Sequence, residues 1–423
     1  MTITGLILLL ATLLSVESEP ARLKLSLDEA LEIALEQSLA VDETNIQKAK
    51  GAQSLVEGAG GLLPRLAASS STTDSSLADL GDGMWVSQFS LSQPVVDATV
   101  IFGLIGGIQQ NGVSRAQARQ SMAKLILDVQ NFYYNLAASQ ALVASAEGRD
   151  NRGRENLRIV AKRFELGAAN KADKLRAEAS LLSAEMELVS ARTSLENNQR
   201  ILSDLIGFSQ WQPIEADKLP QVEEPYSLPT TVISAAILAE NPDFDVLLRQ
   251  VKASELTYLG SWASILPSLS LTASKNFIQE EILPAFSDWD DGVTNYGLAI
   301  GFPIADLKGK ILSINRARLE RKNSRITLAR QELSFRQRLA ALLATQSSSY
   351  KGWEVASKNV ELSSEVYRLS LRSYELGASS LADLLQVEAE LVQAERALVQ
   401  AKADYWSSRA ELNYFLGTSL EVK

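Results

Sequence analysis

Phe164-Glu165-Leu166-Gly167-Ala168-Ala169-Asn170-Lys171-Ala172-Asp173 opens a stretch, 164–207, that this chain contains twice. Advancing the numbering by 210 lays it without a gap on Tyr374-Glu375-Leu376-Gly377-Ala378-Ser379-Ser380-Leu381-Ala382-Asp383 and the residues that run on to Gly417. Of the 44 aligned positions 17 are identical, where chance agreement between helical segments of this composition is on the order of 4. The chain is a duplicated unit, and its fold must be built from two related halves.

Each copy carries a helical seam. Ala177, Leu181, Ala184, Leu188, Ala191, Leu195, Asn198 and Leu202 follow a 4-3-4-3 spacing, matched by Val387, Leu391, Ala394, Leu398, Ala401, Tyr405, Ser408 and Leu412. A sustained 3.5-residue period predicts helices supercoiled on a partner. Upstream, a seam runs from Met122 through Leu125, Val129 and Leu136 to Phe164, which lies 42 positions beyond its start, or roughly 60 Å of helix at 1.5 Å per residue. Its counterpart runs from Phe335 through Leu339 and Gln346 to Tyr374. The expectation is two long antiparallel helical hairpins that turn at Gly167 and Gly377.

Four segments alternate instead. Leu269, Leu271, Ala273 and Phe277 oppose Ser268, Ser270, Thr272, Ser274 and Asn276. Tyr296, Leu298, Ile300 and Phe302 oppose Asn295, Gly297, Ala299 and Gly301, and Trp85, Phe89 and Leu91 oppose Gln88, Ser90 and Ser92. Arg65–Thr73 is the poorest of the four. Period-2 segments with small polar residues on one face fit either a half-buried soluble sheet or transmembrane hairpins. Four strands cannot close a barrel, and an open edge in lipid costs several kcal/mol per unpaired backbone group. Membrane strands here would require several chains to share one barrel, three giving twelve strands and two giving eight.

Ahead of each hairpin the halves repeat a helix and a Leu-Pro step, Leu63-Pro64 and Leu266-Pro267 at an offset of 203. The first helix is expected to start at Ser26, with Glu29 completing a capping box, and to run to about Gly58. Pro94 and Pro303 are expected to end the strands, and the Pro-rich segment Phe208–Thr231 to be an ordered-surface or linker segment rather than a helix. The predicted organisation is a signal peptide at 1–19, a first repeat at 20–211, a Pro-rich linker at 212–229, a second repeat at 230–418 and a short end at 419–423. Residues 3–16 resemble a signal-peptide core too short to span a bilayer, although no Lys or Arg precedes Arg22 and no A-x-A site follows.

Composition narrows the function. The 423-residue chain is 46% hydrophobic with net charge −10, and no basic cluster points to a nucleic-acid partner. It has no Cys, which suits export and leaves none for N-terminal acylation, and no His, the commonest general base and metal ligand. Neither a cofactor nor a metal site is expected. Paired carboxylates such as Glu178 and Glu185 fall beside the seam, where solvated charges belong, so an enzyme is not expected either.

The ordered set Leu27-x-x-Ala30-Leu31-x-x-Ala34, Leu63-Pro64, Gln93-Pro94, Phe164-Glu165-Leu166-Gly167, Leu266-Pro267 and Tyr374-Glu375-Leu376-Gly377 followed by Asp383-Leu384-Leu385 resembles the TolC family of outer-membrane efflux proteins, over about residues 23–418. The resemblance implies a mainly α chain with a membrane β-barrel part. Duplicated coiled-coil hairpins would join four transmembrane strands per chain in a barrel completed by trimerisation. It further implies an outer-membrane channel-tunnel reaching into the periplasm of a Gram-negative-type bacterium. Such a channel is the passive exit duct of a tripartite efflux or type I secretion system for small molecules or polypeptides. Its implied partners are a periplasmic adaptor, an inner-membrane pump of RND, ABC or MFS type and outer-membrane lipid.

By the same resemblance, Gly167, Ala168, Gly377 and Ala378 match hairpin tips where an adaptor docks, though a glycine at a turn needs no partner to explain it. Asp383 matches an aspartate lining the periplasmic mouth, and Asp173 with Tyr374 a tie that holds it closed. Some relatives carry a second acid where this chain has Gln386. Both aspartates also suit a helix N-cap. The competing reading is a soluble periplasmic coiled-coil scaffold, which would leave the alternating segments unexplained.

Overall fold

The computed structural model describes residues 23–72, 85–226, 238, 240–279, 290, 292–303 and 306–418. The signal-peptide segment, the loop at 74–83, most of that at 280–293, the end of the Pro-rich linker and 419–423 lie outside them.

Strand β1 (Leu23–Leu25) leads into α1 (Leu27–Gln37) and α2 (Leu39–Gly60). Ser26 caps α1 as expected: its hydroxyl accepts from Glu29 N–H at 3.2 Å, while the Glu29 carboxylate accepts from Ser26 N–H at 2.8 Å. The expected single helix to Gly58 is in fact two. Ser38 takes an extended conformation (φ −67°, ψ 138°), and its hydroxyl accepts the Ala40 N–H at 3.4 Å. A serine side chain competing for backbone donors ends one helix and starts the next.

Two hairpin strands follow, β2 (Arg65–Thr72) and β3 (Trp85–Val96), then α3 (Ala98–Glu165) and α4 (Lys171–Ile206). The short β4 (Ile214–Ala216) precedes α5 (Pro242–Ala263), β5 (Ser268–Gln279), β6 (Val293–Gly301), α6 (Leu307–Glu375) and α7 (Leu381–Leu416). Pro303 lies beyond β6, but Pro94 sits inside β3, at a register shift between Pro94 and Val96. A bulge tolerates a residue with no N–H to donate. Over its described residues, 208–226, the Pro-rich segment is an ordered surface segment rather than a helix, as expected. Its β4 pairs in parallel with β1, Tyr405 Oη donates to Glu223 O at 2.7 Å, and Trp406 Nε1 donates to Pro220 O at 3.3 Å.

The four longer strands form one antiparallel sheet in the order β2-β3-β5-β6. Directly paired residues share a face, and the register joins Leu66 to Leu91, Leu91 to Ala273, Ala273 to Tyr296, and Leu271 to Leu298. Ser90, Ser274 and Asn295 line up on the other face. One side is therefore largely apolar and the other carries small polar residues, as the alternation predicts. Leu298 and Ile300 are both 61% exposed in the single chain. Among the described residues no helix is long and apolar enough to cross a membrane.

Every α4 and α7 seam residue named above is buried or half-buried. The described chain forms two compact units, and each draws on both repeats. One comprises residues up to Glu43, Ser121–Asn241 and Arg336 onward; the other comprises Thr44–Gln120 and Pro242–Phe335, which include the sheet. In the first unit Gly207 and Gly417 end α4 and α7 with φ of +92° and +79°. A side chain on Gly207 would stand 2.3 Å from the Gln37 carbonyl oxygen, and one on Gly417 would stand 2.4 Å from that of Glu240. Gln37 and Glu240 are 203 apart, the offset of the N-terminal helices, so the same close approach is built twice.

Candidate functional site

The two hairpin turns are built alike. Gly167 and Gly377 adopt φ of +73° and +78°, conformations that favour glycine. In the first turn Ala168 N–H donates to Arg163 O at 2.7 Å and Gly167 N–H to Phe164 O at 3.0 Å. In the second, Ala378 N–H donates to Ser373 O and Gly377 N–H to Tyr374 O, each at 2.9 Å. Both are Schellman turns, which satisfy the last carbonyls of a helix. Gly167, Ala168, Gly377 and Ala378 are exposed, and beside them Leu166 and Leu376 are 83% and 73% exposed.

The returning helices are then capped. Asn170 Oδ1 accepts from Asp173 N–H at 2.8 Å. Ser380 makes a full capping box with Asp383: its hydroxyl accepts from Asp383 N–H at 3.2 Å, and Asp383 Oδ2 accepts from the Ser380 N–H at 3.2 Å and its hydroxyl at 2.8 Å. The exposed Asp383 carboxylate is thereby held at the start of α7, where a negative charge also suits the helix dipole. Gln386 donates to Glu390 at 3.0 Å within the helix.

Arg163 joins the two turns. Its Nη1 donates to Tyr374 O at 2.5 Å, and its guanidinium lies 4.8 Å from the centroid of the Tyr374 ring. That ring packs with Val160, Ala177, Leu381 and Leu384 in a small apolar cluster. Burial raises the Tyr374 hydroxyl above its ordinary value, with Arg163 opposing and the Asp173 carboxylate reinforcing the rise. Within one chain, Asp173 and Tyr374 interact through charge and share no hydrogen bond; the Asp173 carboxylate stands 3.6 Å from Arg176.

Further along the hairpins lies a polar cluster that the residue pattern does not announce. Glu388 of α7 is 4% exposed and Asn156 of α3 is 3% exposed. Asn156 Nδ2 donates to Glu388 Oε2 at 2.9 Å, and Arg152 Nε lies 3.7 Å from Glu388 Oε1. Arg152 also reaches Glu395, which accepts from the Ser145 hydroxyl at 2.6 Å, and lies 5.9 Å from the Tyr367 ring. Burial raises the Glu388 carboxyl, with Arg152 and Asn156 opposing and Glu395 reinforcing the rise. Glu388 is the 210-offset counterpart of Glu178, whose side chain is 43% exposed. Identity across the repeats therefore hides the difference between a solvated acid and a buried one. Polar residues at seam positions, Asn198, Gln346 and Ser408, are a hint in the sequence that polar contacts enter these interfaces.

Two long helical hairpins and a four-stranded sheet with one largely apolar and one polar face are the architecture expected of an outer-membrane efflux protein. The pattern described as "Outer membrane efflux protein" matches residues 29–208 and 233–418. The chain belongs to that family and is an outer-membrane protein reaching into the periplasm, which sets aside the soluble scaffold. Over 196 residues it is 28% identical to the alkaline protease secretion protein AprF of Pseudomonas aeruginosa, covering 45% of this chain and 40% of the relative. Over 221 residues it is 24% identical to the probable efflux pump outer membrane protein TtgC of Pseudomonas putida, covering 50% and 45%. The matches thus take in under half the length of these relatives. Among solved structures the fold is similar to the CmeC outer membrane channel of Campylobacter jejuni, with a TM-score of 0.81 at 18% identity over 93% of this chain and 86% of that one. The open state of the MtrE channel of Neisseria gonorrhoeae is similar with a TM-score of 0.73 at 22% identity, over 92% and 88%.

Proposed function

We propose that three copies of this chain share one barrel and form the passive exit duct of a tripartite efflux or secretion system. The observation that carries this reading is the open sheet. Strands β2 and β6 are its edges, and β6 is exposed along its whole length. In lipid such edges must be paired, and three chains would supply twelve strands, an even number suited to a barrel. The apolar faces would then meet lipid and the Ser, Asn and Gly faces would line a wet lumen.

In this reading the turns at Gly167-Ala168 and Gly377-Ala378 receive the hairpins of a periplasmic adaptor. An inner-membrane pump supplies substrate and energy, and passage through the duct is downhill. Asp383 forms a ring of three carboxylates that favours cations at the mouth. Asp173 and Tyr374 help to hold that mouth closed, and opening parts the hairpin tips as rigid bodies. The two sequence repeats, 20–211 and 230–418, are the units whose hairpins move. Small molecules and polypeptides are both candidate cargo, because similarity to a protease secretion protein and to a probable efflux pump component supports each equally.

Light scattering on the detergent-extracted protein, corrected for bound detergent, tests the assembly. Three copies of the 46.0 kDa chain per particle are expected, with ion conductance in a planar bilayer. A particle of one or two chains, or a trimer that does not conduct, would overturn the duct.

A further inference from the structure

Against the expectation that the sequence holds no basic cluster, the stretch Asp306–Arg330, which contains the start of α6, carries eight Lys and Arg residues against two acids, Asp306 and Glu320, in a chain of net charge −10. The matching stretch of the first repeat, Asp97–Gln120, carries only Arg115 and Arg119. Folding uses two of the eight. Arg325 pairs with Glu255, and Arg321 lies 4.2 Å from the centroid of the Tyr258 ring. Lys308, Arg316, Arg318, Lys322 and Arg330 are exposed and Lys310 is half-buried, and none of these six has an ion-pair partner among the described residues. Arg318 and Lys322 stand four apart on one helix, where like charges repel.

The position of this charge suggests its partner. Gly301 ends β6 and Leu307 opens α6, so Lys308 and Lys310 follow within ten residues of the end of β6. Leu307, Ile311 and Leu312 are exposed beside them. Apolar and cationic side chains together on the first turns of a helix suit a bilayer interface, with the apolar groups at the acyl boundary and the long cationic stems reaching the phosphates. Arg318 lies ten residues beyond Lys308, about 15 Å along the helix, a span that side-chain reach and a screening length of about 8 Å together cover. Lys322 and Arg330 lie beyond it, at about 21 and 33 Å.

We propose that Lys308, Lys310, Arg316 and Arg318 form a collar that binds acidic phospholipid headgroups, phosphatidylglycerol or cardiolipin, at the periplasmic edge of the outer membrane. This rests on the reading of β5 and β6 as membrane strands. Each cation close to a bilayer surface strengthens binding about fivefold, so the four together should dominate lipid retention.

The test is native mass spectrometry of the detergent-extracted protein, titrated separately with dioleoyl phosphatidylglycerol, cardiolipin and phosphatidylcholine. The acidic lipids should be retained at least about tenfold better than phosphatidylcholine. The variant K308Q/K310Q/R316Q/R318Q should lose that preference, K322Q/R330Q should keep it, and excess inorganic phosphate should not displace the lipid. If the fourfold variant does not assemble, K308Q/K310Q and R316Q/R318Q separately should each weaken retention. Equal retention by wild type and variants overturns the collar, and displacement by inorganic phosphate reassigns it as a free-anion site. Unchanged lipid retention with altered ion selectivity overturns it in favour of cations facing the lumen. Failure of the membrane-strand reading shows separately, as protein recovered from the soluble fraction without detergent.

Discussion

Asn156 of α3 donates to Glu388 of α7 at 2.9 Å, a hydrogen bond between the two helical hairpins at a point where both side chains are buried. With Arg152 beside it and Tyr367 of α6 within its field, Glu388 draws three helices together.

A pH dependence follows from that junction. Burial holds the Glu388 carboxyl above its ordinary value. A carboxyl raised in the folded state contributes stability that is fully present below its unfolded value and lost as pH rises through its folded one. The junction should therefore be firmest in acid and loosen from just above the ordinary carboxylate range. Glu388→Gln should flatten the fall of the melting midpoint as pH rises above the ordinary carboxylate range, and an unaltered slope would contradict the assignment. Glu388→Ala leaves Asn156 without its acceptor and Arg152 with Glu395 alone, and should cost about 1–3 kcal/mol.

Gly207 and Gly167 share a left-handed backbone and differ in surroundings. Beside Gly207 stands the Gln37 carbonyl, whereas a side chain on Gly167 would meet open space. Gly167→Ala should cost about 1 kcal/mol of stability, and Gly207→Ala several times more, as should Gly417→Ala. Chemical denaturation compares them. Loss of adaptor pull-down by Gly167→Ala with stability nearly intact would assign that tip to docking; retained pull-down would leave the glycine as a turn residue.

The pore role proposed for Asp383 has to be separated from a local one, since its carboxylate completes a capping box. Asp383→Asn keeps an acceptor for Ser380 and removes the charge. It should lower the cation preference of the channel in a planar bilayer while shifting stability by less than about 0.5 kcal/mol. Asp383→Ala should lower the same preference and also cost about 0.5–2 kcal/mol. Selectivity unchanged in both would sink the acidic ring.

Tyr374→Phe removes one hydroxyl and leaves the ring on which Arg163 lies. If that hydroxyl helps Asp173 hold the mouth closed, single-channel conductance should rise, and it should rise further for Arg163→Met, which releases both turns. Wild-type conductance in both variants would rule out a latch at this point.

The two faces of the sheet give a fourth contrast. Leu298→Arg puts a charge on the apolar face and should cost about 2–4 kcal/mol in refolding into bilayers. Asn295→Asp on the polar face should be nearly neutral. Equal costs would mean that the faces are assigned the wrong way round.

The turns and caps at the hairpin ends are legible in residue order, because they are local chemistry. Gly167 and Gly377, the Ser26 and Glu29 box and the alternating strands all act within a few residues of themselves. The break at Ser38 and the bulge at Pro94 do not show in the sequence pattern, because each reflects a choice between competing backbone bonds, which neither hydrophobic period records. The Arg152, Asn156 and Glu388 cluster was missed because its members come from different hairpins, which no fixed offset relates.

Side-chain spacing is set by backbone geometry, 3.6 residues per helical turn and two per strand repeat. The duplication, the coiled-coil seams and the two-faced strands could therefore be read directly from residue order. Residue order does not state which surfaces meet. That β3 pairs with β5, that β1 pairs with β4, that Gly207 and Gly417 rest on Gln37 and Glu240, and that Glu388 is buried while Glu178 is not were decided only by packing. Contacts between distant segments depend on the shape and charge of both partners, and a period carries neither.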